Sequence, residues 1–413
     1  MTEMTAPLVD DRRTMRNVAV LVASQGLMGA QMPVVFVLGG LAGQMLAPSP
    51  LYATAPISVI VLVSMFSAPV LSLLMGKFGR RAGFLTGVIA GGIGAALSVV
   101  ALYQASFALL IAGHALTGIY MSAQGFYRFA ATDTASEALR PRAISWVMAG
   151  GLISAILGPE VVKLFGGALA PIPFAGAYLA VVAINALGVI LLLFLDAPRP
   201  PQRAPGASTG RPLRVILTQP RVYTAILCAM VSYALMNLMM TSTPLAVVGC
   251  GFGTGDAANV VKYHVLAMFG PSFFTGSLIA RFGAEKIVAI GLALLGAAGL
   301  VALSGVALGQ FYGALILLGL GWNFGFIGAT AMLTSAHTAE ERAKVQGLND
   351  FLVFGLVTVA SFSSGLLMNG VGAGDVLLGW HAVNYAMIPF LAIAGGVLIA
   401  YMIRTRLSAR AAS

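Results

Sequence analysis

Two short patterns in the second half of the chain carry residue types that hold soft cations. Met236-Asn-Leu-Met-Met240 is an M-x-x-x-M, and His264-Val-Leu-Ala-Met268 is an H-x-x-x-M. On a helix a spacing of four puts both members of a pair on one face, about 6 Å apart along the axis. Thioether sulfur is soft and uncharged and suits Cu(I), and imidazole also accepts copper. Magnesium or calcium would need oxygen ligands, and zinc usually takes thiolate, imidazole or carboxylate. A neutral ligand set also binds without a buried anion, which eases release of the ion. Against this stands the ordinary use of Met as filler in apolar interiors: 19 methionines will meet the spacing by chance.

Further candidates surround this set. Met28 and Met32 form a second M-x-x-x-M, and Cys228 and Cys250 are the two cysteines; these four are candidate relay ligands, with packing as the competing reading. Twenty-two helical residues separate the cysteines by about 33 Å, too far for a disulfide in a straight helix. Glu160 and Lys163 follow Gly158-Pro159 at a spacing of three, which lets them neutralise each other. With Asp350 they are the candidates for coupling or gating, because ionisable groups within a membrane are costly and need a reason. Asp350 is expected to meet a cytoplasmic Arg. His114 is expected to be a satisfied polar contact, and His337 and His381 receive no role.

The elements that must position these residues are membrane helices. Of the 413 residues 59% are hydrophobic and only 9% charged, against about 25% charged in a soluble domain. A chain so poor in charge cannot cover a water-facing surface. The fold class expected is all-α, with twelve transmembrane helices: 17–43, 52–75, 82–104, 106–127, 143–166, 172–195, 222–248, 258–280, 287–307, 310–333, 349–370 and 380–403. Each is long enough to cross about 30 Å of hydrocarbon. The start of the chain is polar, with acidic and basic residues, and lacks the pattern of a cleavable signal, so the first span is expected to be retained.

Spans 7 and 8 form an antiparallel hairpin around Phe252. Met240 and His264 each lie twelve residues from its centre, and Met236 and Met268 sixteen. The spacing therefore predicts Met240 at the depth of His264 and Met236 at that of Met268, and Gly270-Pro271 is expected to bend span 8.

The net charge is +10. Nucleic acid is excluded as a partner because no soluble basic domain exists to bind it. The lipid bilayer is the expected partner, since cytoplasmic loops collect Lys and Arg. With both termini in the cytoplasm, 21 of the 23 basic residues face inward and the outward loops hold none; the other two, Lys163 and Lys262, fall within spans. The Pro-, Gly- and Arg-rich stretch 196–221 reads as a flexible cytoplasmic linker. It divides the chain into an N-terminal six-helix half, 1–195, and a C-terminal six-helix half, 222–413.

An internal echo supports this division. Ser72-Leu-Leu-Met-Gly-Lys-Phe-Gly-Arg-Arg81 follows span 2, and Gly276-Ser-Leu-Ile-Ala-Arg-Phe-Gly-Ala-Glu-Lys286 follows span 8. Both resemble the loop signature of the major facilitator superfamily, G-x-x-x-D-R-x-G-R-R, but Gly76 and Ala280 stand where its Asp is expected and Ser72 replaces its first Gly. The resemblance implies two pseudo-symmetric halves that rock about a central site to give alternating access.

The two soft-ligand patterns, with the flanking run HVLAMFGPSFFTGSLIARFG, resemble more specifically the CcoA-like copper transporters, a bacterial branch of that superfamily. This resemblance implies copper as transported substrate rather than resident cofactor, held by Met236, Met240, His264 and Met268. It further implies import across the bacterial inner membrane, delivery to a cytoplasmic copper acceptor, and supply of a cbb-type cytochrome c oxidase. Some relatives of that group carry riboflavin, so an organic solute is the alternative cargo. Such a cargo would need stacking and polar groups, for which Phe126, Tyr127, Trp322 and Asn323 are candidates. A membrane copper chaperone is a third reading, though a chaperone has no need of two rocking halves. No nucleophile–base pair, phosphate loop or catalytic metal cluster marks an enzyme.

Overall fold

In the computed structural model residues 11–136, 139–197, 210–338, 341–371 and 374–412 are described. Among them all regular structure is helical. Eleven helices are long and apolar enough to cross a membrane, and the bent pair Thr254–Phe269 and Ser272–Phe282 makes a twelfth crossing. Numbering by crossing, spans 1 to 6 are Asp11–Leu46, Pro50–Phe78, Arg80–Tyr103, Phe107–Ala130, Arg142–Phe165 and Ala175–Leu193. Span 7 is Pro220–Gly249, span 8 the bent pair, and spans 9 to 12 are Ala284–Leu303, Leu308–Thr334, Lys344–Val371 and Val376–Ser408. Most of the linker, 198–209 with Arg199 and Arg203, lies outside the described residues.

The chain forms two compact units. One takes in Met1–Ser49 and Ala55–Pro205, the other Pro50–Thr54 and Gly206–Ser413. Within each, glycines let neighbouring spans approach to backbone contact. A methyl on Gly94 of span 3 would collide with the carbonyl oxygen of Gly113 in span 4, and one on Gly291 of span 9 with the backbone of Gly325 in span 10. The two echoed loops share their turn: Gly79 has φ 92° and Gly283 φ 89°, values that favour glycine. Gly76, in the place of the signature Asp, has no partner to offer. Arg80, four residues on, instead grips Asp133 below span 4 with two bonds, Nε to Oδ2 at 2.8 Å and Nη2 to Oδ1 at 3.1 Å.

Several spans depart from single straight helices, spans 1, 12 and 8 among them. Span 1 is two helices, Asp11–Met28 and Gln31–Leu46. Pro33 has no N–H for the carbonyl of Gly29, which accepts from Met32 N instead, at 3.1 Å. Span 12 divides into Val376–Tyr385 and Met387–Ala412. Span 8 bends by 41° at Gly270-Pro271, where Pro271 leaves the carbonyl of Ala267 without its helical donor.

Candidate functional site

The soft-ligand side chains all lie inside the C-terminal unit. Met236 and Met240 are on span 7, the most enclosed of the helices, and are 1% and 5% exposed. His264 is fully buried and Met268 nearly so. The first half of span 8 packs mainly on span 10 rather than on span 7, and this contact orients the histidine. His264 Nδ1 lies 2.7 Å from the carbonyl oxygen of Leu315. A carbonyl only accepts, so Nδ1 carries the proton and donates. Nε2 is then left with a bare lone pair, and among the described residues it has no hydrogen-bond partner. A buried nitrogen in that state is fit to receive a donor hydrogen or a metal ion.

Four residues below Leu315, Gly319 lies against the backbone of span 8: a methyl there would stand 2.6 Å from the carbonyl oxygen of His264 and 3.0 Å from the nitrogen of Met268. Four further on, Asn323 is fully buried at the level of the bend. Its Nδ2 donates to the carbonyl of Met268 at 2.6 Å and to Ser272 Oγ at 2.8 Å. Its Oδ1 accepts from Thr275 Oγ1 at 2.6 Å. One face of span 10 thus fixes the imidazole, the backbone and the bend of span 8 in turn.

This arrangement corrects the expectation that Asn323 serves an organic cargo, because its amide is spent on span 8. Tyr127 is likewise no stacking platform; it is 1% exposed and packs edge-on to Phe84 at 4.7 Å in the core of the N-terminal unit. Phe126, half-buried beside that core, meets Phe129. Trp322 is different. It stacks on Phe326, with ring planes 15° apart and centroids at 5.4 Å. Tyr233 of span 7 stands edge-on to both, at 5.4 and 5.1 Å, and also meets Phe354 of span 11 at 5.7 Å. Phe269 of span 8 approaches Trp322 from another side at 6.0 Å. Trp322 Nε1 is buried without an acceptor among the described residues. Four spans therefore contribute to an aromatic cluster that holds one unmatched donor, and aromatic spacing alone gave no sign of Tyr233, Phe269, Phe326 or Phe354.

The other candidates are dispersed. Met28 is fully buried and packs on Gly188 of span 6. Met28 and Met32 flank the break in span 1, so no regular helical turn joins them as the spacing assumed. Cys228 is buried and Cys250, at the end of span 7, half-buried; both are free thiols. Lys163 Nζ lies 2.6 Å from Glu160 Oε1. Asp350 Oδ1 accepts from Asn349 Nδ2 at 3.1 Å. His114 meets the carbonyl of Leu110 at 2.9 Å and the hydroxyl of Tyr178 at 3.4 Å. Among the described residues no three His, Cys, Asp or Glu side chains gather at one point, so a metal here would depend on thioethers.

Twelve mostly apolar crossings in two compact units, with broken helices and buried polar atoms in their midst, define a multi-pass membrane transporter of small solutes. The chain belongs to the Major Facilitator Superfamily, whose family model matches residues 19–361; it is a transporter, not an enzyme. It is 41% identical to the riboflavin transporter RfnT of Brucella anthropi over 97% of this chain and 98% of that protein. It is 29% identical to the uncharacterised MFS-type transporter YddS of Bacillus subtilis, over 93% of this chain and 88% of that one. In fold it is similar to the nucleoside transporter NupG, with a TM-score of 0.68 at 13% identity over 95% of this chain and 98% of that one. A bacterial homolog of the human lysosomal transporter Spinster matches at a TM-score of 0.67 and 15% identity, over 95% and 97% of the two chains.

Proposed function

We propose that the protein imports a flat aromatic solute of the riboflavin kind across the bacterial cytoplasmic membrane, with both termini in the cytoplasm. The full-length 41% identity to a riboflavin transporter carries this reading. The C-terminal unit offers suitable chemistry. A fused ring system stacks on aromatic side chains, and the cluster of Trp322, Phe326, Tyr233, Phe354 and Phe269 is a platform of that kind. An imide ring edge presents carbonyl oxygens and an N–H. Trp322 Nε1 is an unmatched donor for the first and His264 Nε2 an unmatched acceptor for the second. The orientation rests on the inward bias of Lys and Arg.

One observation favours copper as a second reading. The bare, buried Nε2 of His264 shares the C-terminal unit with the buried thioethers of Met236, Met240 and Met268, a neutral set suited to Cu(I). On that reading Cys228, Cys250, Met28 and Met32 are relay positions, and Glu160, Lys163 and Asp350 serve coupling or gating under either cargo. A copper chaperone is the weaker form of this reading, because the whole chain matches transporters.

Uptake of riboflavin and of Cu(I) by proteoliposomes, measured in parallel, separates the two. The first reading expects riboflavin uptake that drops about tenfold or more in Trp322→Ala and survives in Met236→Ala. Copper uptake abolished by Met236→Ala and His264→Ala, with no riboflavin flux in wild type, would overturn it in favour of the metal.

A further inference from the structure

The contact between spans 8 and 10 is built at intervals of four residues: Leu315 on the imidazole of His264, Gly319 on the backbone between His264 and Met268, Asn323 on the break. The last contact differs from the others in kind. A proline break in a membrane helix leaves carbonyl groups that need donors from elsewhere. Asn323 does more than supply one. Its single amide reaches the segment before the break, at the carbonyl of Met268, and the segment after it, at Ser272 and Thr275. Thr275 Oγ1 also lies 2.8 Å from the carbonyl oxygen of Pro271, so its one hydrogen is shared between that carbonyl and Asn323 Oδ1. Few side chains could replace Asn here, because the site asks for two donor hydrogens and an acceptor within one planar group. Leu has the same bulk and neither; Asp has only the acceptor.

We propose that Asn323 is a positioning residue for transport: it pins both half-helices of span 8 to span 10 across the bend, and so holds His264 and Met268 in place for the cargo. The role does not depend on which cargo is carried. Loss of the amide releases the half-helices from each other, and the histidine loses its setting although Asn323 touches no cargo.

The test is hydrogen–deuterium exchange of the full chain in lipid nanodiscs, comparing wild type, Asn323→Leu and Thr275→Val. In Asn323→Leu the amides of residues 266–276 are expected to exchange about tenfold faster, with those of span 9 and of the N-terminal unit unchanged, the pattern of local rather than global opening. Thr275→Val removes the tie to Asn323 Oδ1 and keeps the one to Ser272, so residues 273–276 should quicken while 262–268 stay as in wild type. Thr275→Val also keeps the test decisive if Asn323→Leu does not fold. Unchanged exchange at 266–276, or a rise spread over the whole chain, overturns the proposal. With riboflavin or Cu(I), whichever the wild type carries, Asn323→Leu should raise KM about tenfold; a fall in maximal rate alone at wild-type KM also overturns it. If the wild type carries neither, the cargo reading fails and the exchange pattern still decides the role of Asn323.

Discussion

Gly319→Ala should injure the protein through span 8, and the size of the effect follows from the packing. The added methyl would stand 2.6 Å from the His264 carbonyl oxygen, 3.0 Å from Ala267 Cβ and 3.0 Å from the Met268 nitrogen. Two of these are backbone atoms and cannot swing aside. Carbon and oxygen rest at ~3.3–3.6 Å, so span 8 must withdraw by about 1 Å. The bond from His264 Nδ1 to Leu315, now 2.7 Å, then stretches beyond the ~3.2 Å limit of a good hydrogen bond. Overpacking costs about 1–3 kcal/mol and the lost bond about 1 kcal/mol more. The expected outcome is a clear drop in thermal stability in lipid nanodiscs, and a KM for the carried solute about tenfold higher, equivalent to about 1.4 kcal/mol. Gly309→Ala, on the same span with nothing within 4 Å of the new methyl, is the control and should be neutral or slightly stabilising. A Gly319→Ala protein as stable and as active as Gly309→Ala would refute the claim that this contact sets the histidine.

Two predictions concern the water-facing ends. The Glu341 side chain is 1% exposed, and the Arg211 fork that grips it at 2.6 and 2.8 Å, aided by the backbone N–H groups of Arg211 and Thr338, lowers its pKa from 4.5 to about 2. Because the folded value lies below the unfolded one, this clamp stabilises fully above pH 4.5 and is lost as pH falls toward 2. Proteolysis next to Arg211 should therefore begin only in that acid window, and Arg211→Lys, which keeps charge but not the fork, should move its onset to higher pH; an onset unchanged by the substitution would exclude the clamp. Cys250 lies just beyond span 7, with its thiol pKa raised by partial burial. A membrane-impermeant maleimide on intact cells should label it slowly near neutrality and faster as pH rises, while buried Cys228 stays unlabelled. Labelling of Cys250 only after permeabilisation would reverse the proposed orientation.

What could be read from the sequence divides by the range of the interactions concerned. Spans are legible because a helix in lipid must satisfy its own backbone and cover its length with apolar residues, which leaves a continuous signal. The bend of span 8 is legible from Gly270-Pro271, a local cause with a local effect. Pro33 carries the same information for span 1, hidden there in an apolar run. Asn323 is of another kind. Its partner carbonyl lies 55 residues away, and no periodicity marks it, so it reads like any polar residue free to meet a cargo. Met28 misled in the opposite sense: its spacing to Met32 has meaning only along an unbroken helix.

The histidine shows why cargo cannot be settled by ligand type alone. Both readings of the site use Nε2 of His264, and both need it bare. That condition is set by the carbonyl of Leu315, which can only accept and so fixes the proton on Nδ1. A thioether near that nitrogen makes a copper ligand set, and an aromatic platform near it makes a ring-binding site; this unit contains both residue types. The discriminating atoms are therefore those that only one cargo can use. Met sulfur has little to offer an imide, and indole Nε1 has no lone pair for a metal. Met236 and Trp322, rather than His264, are the positions at which the two cargoes part.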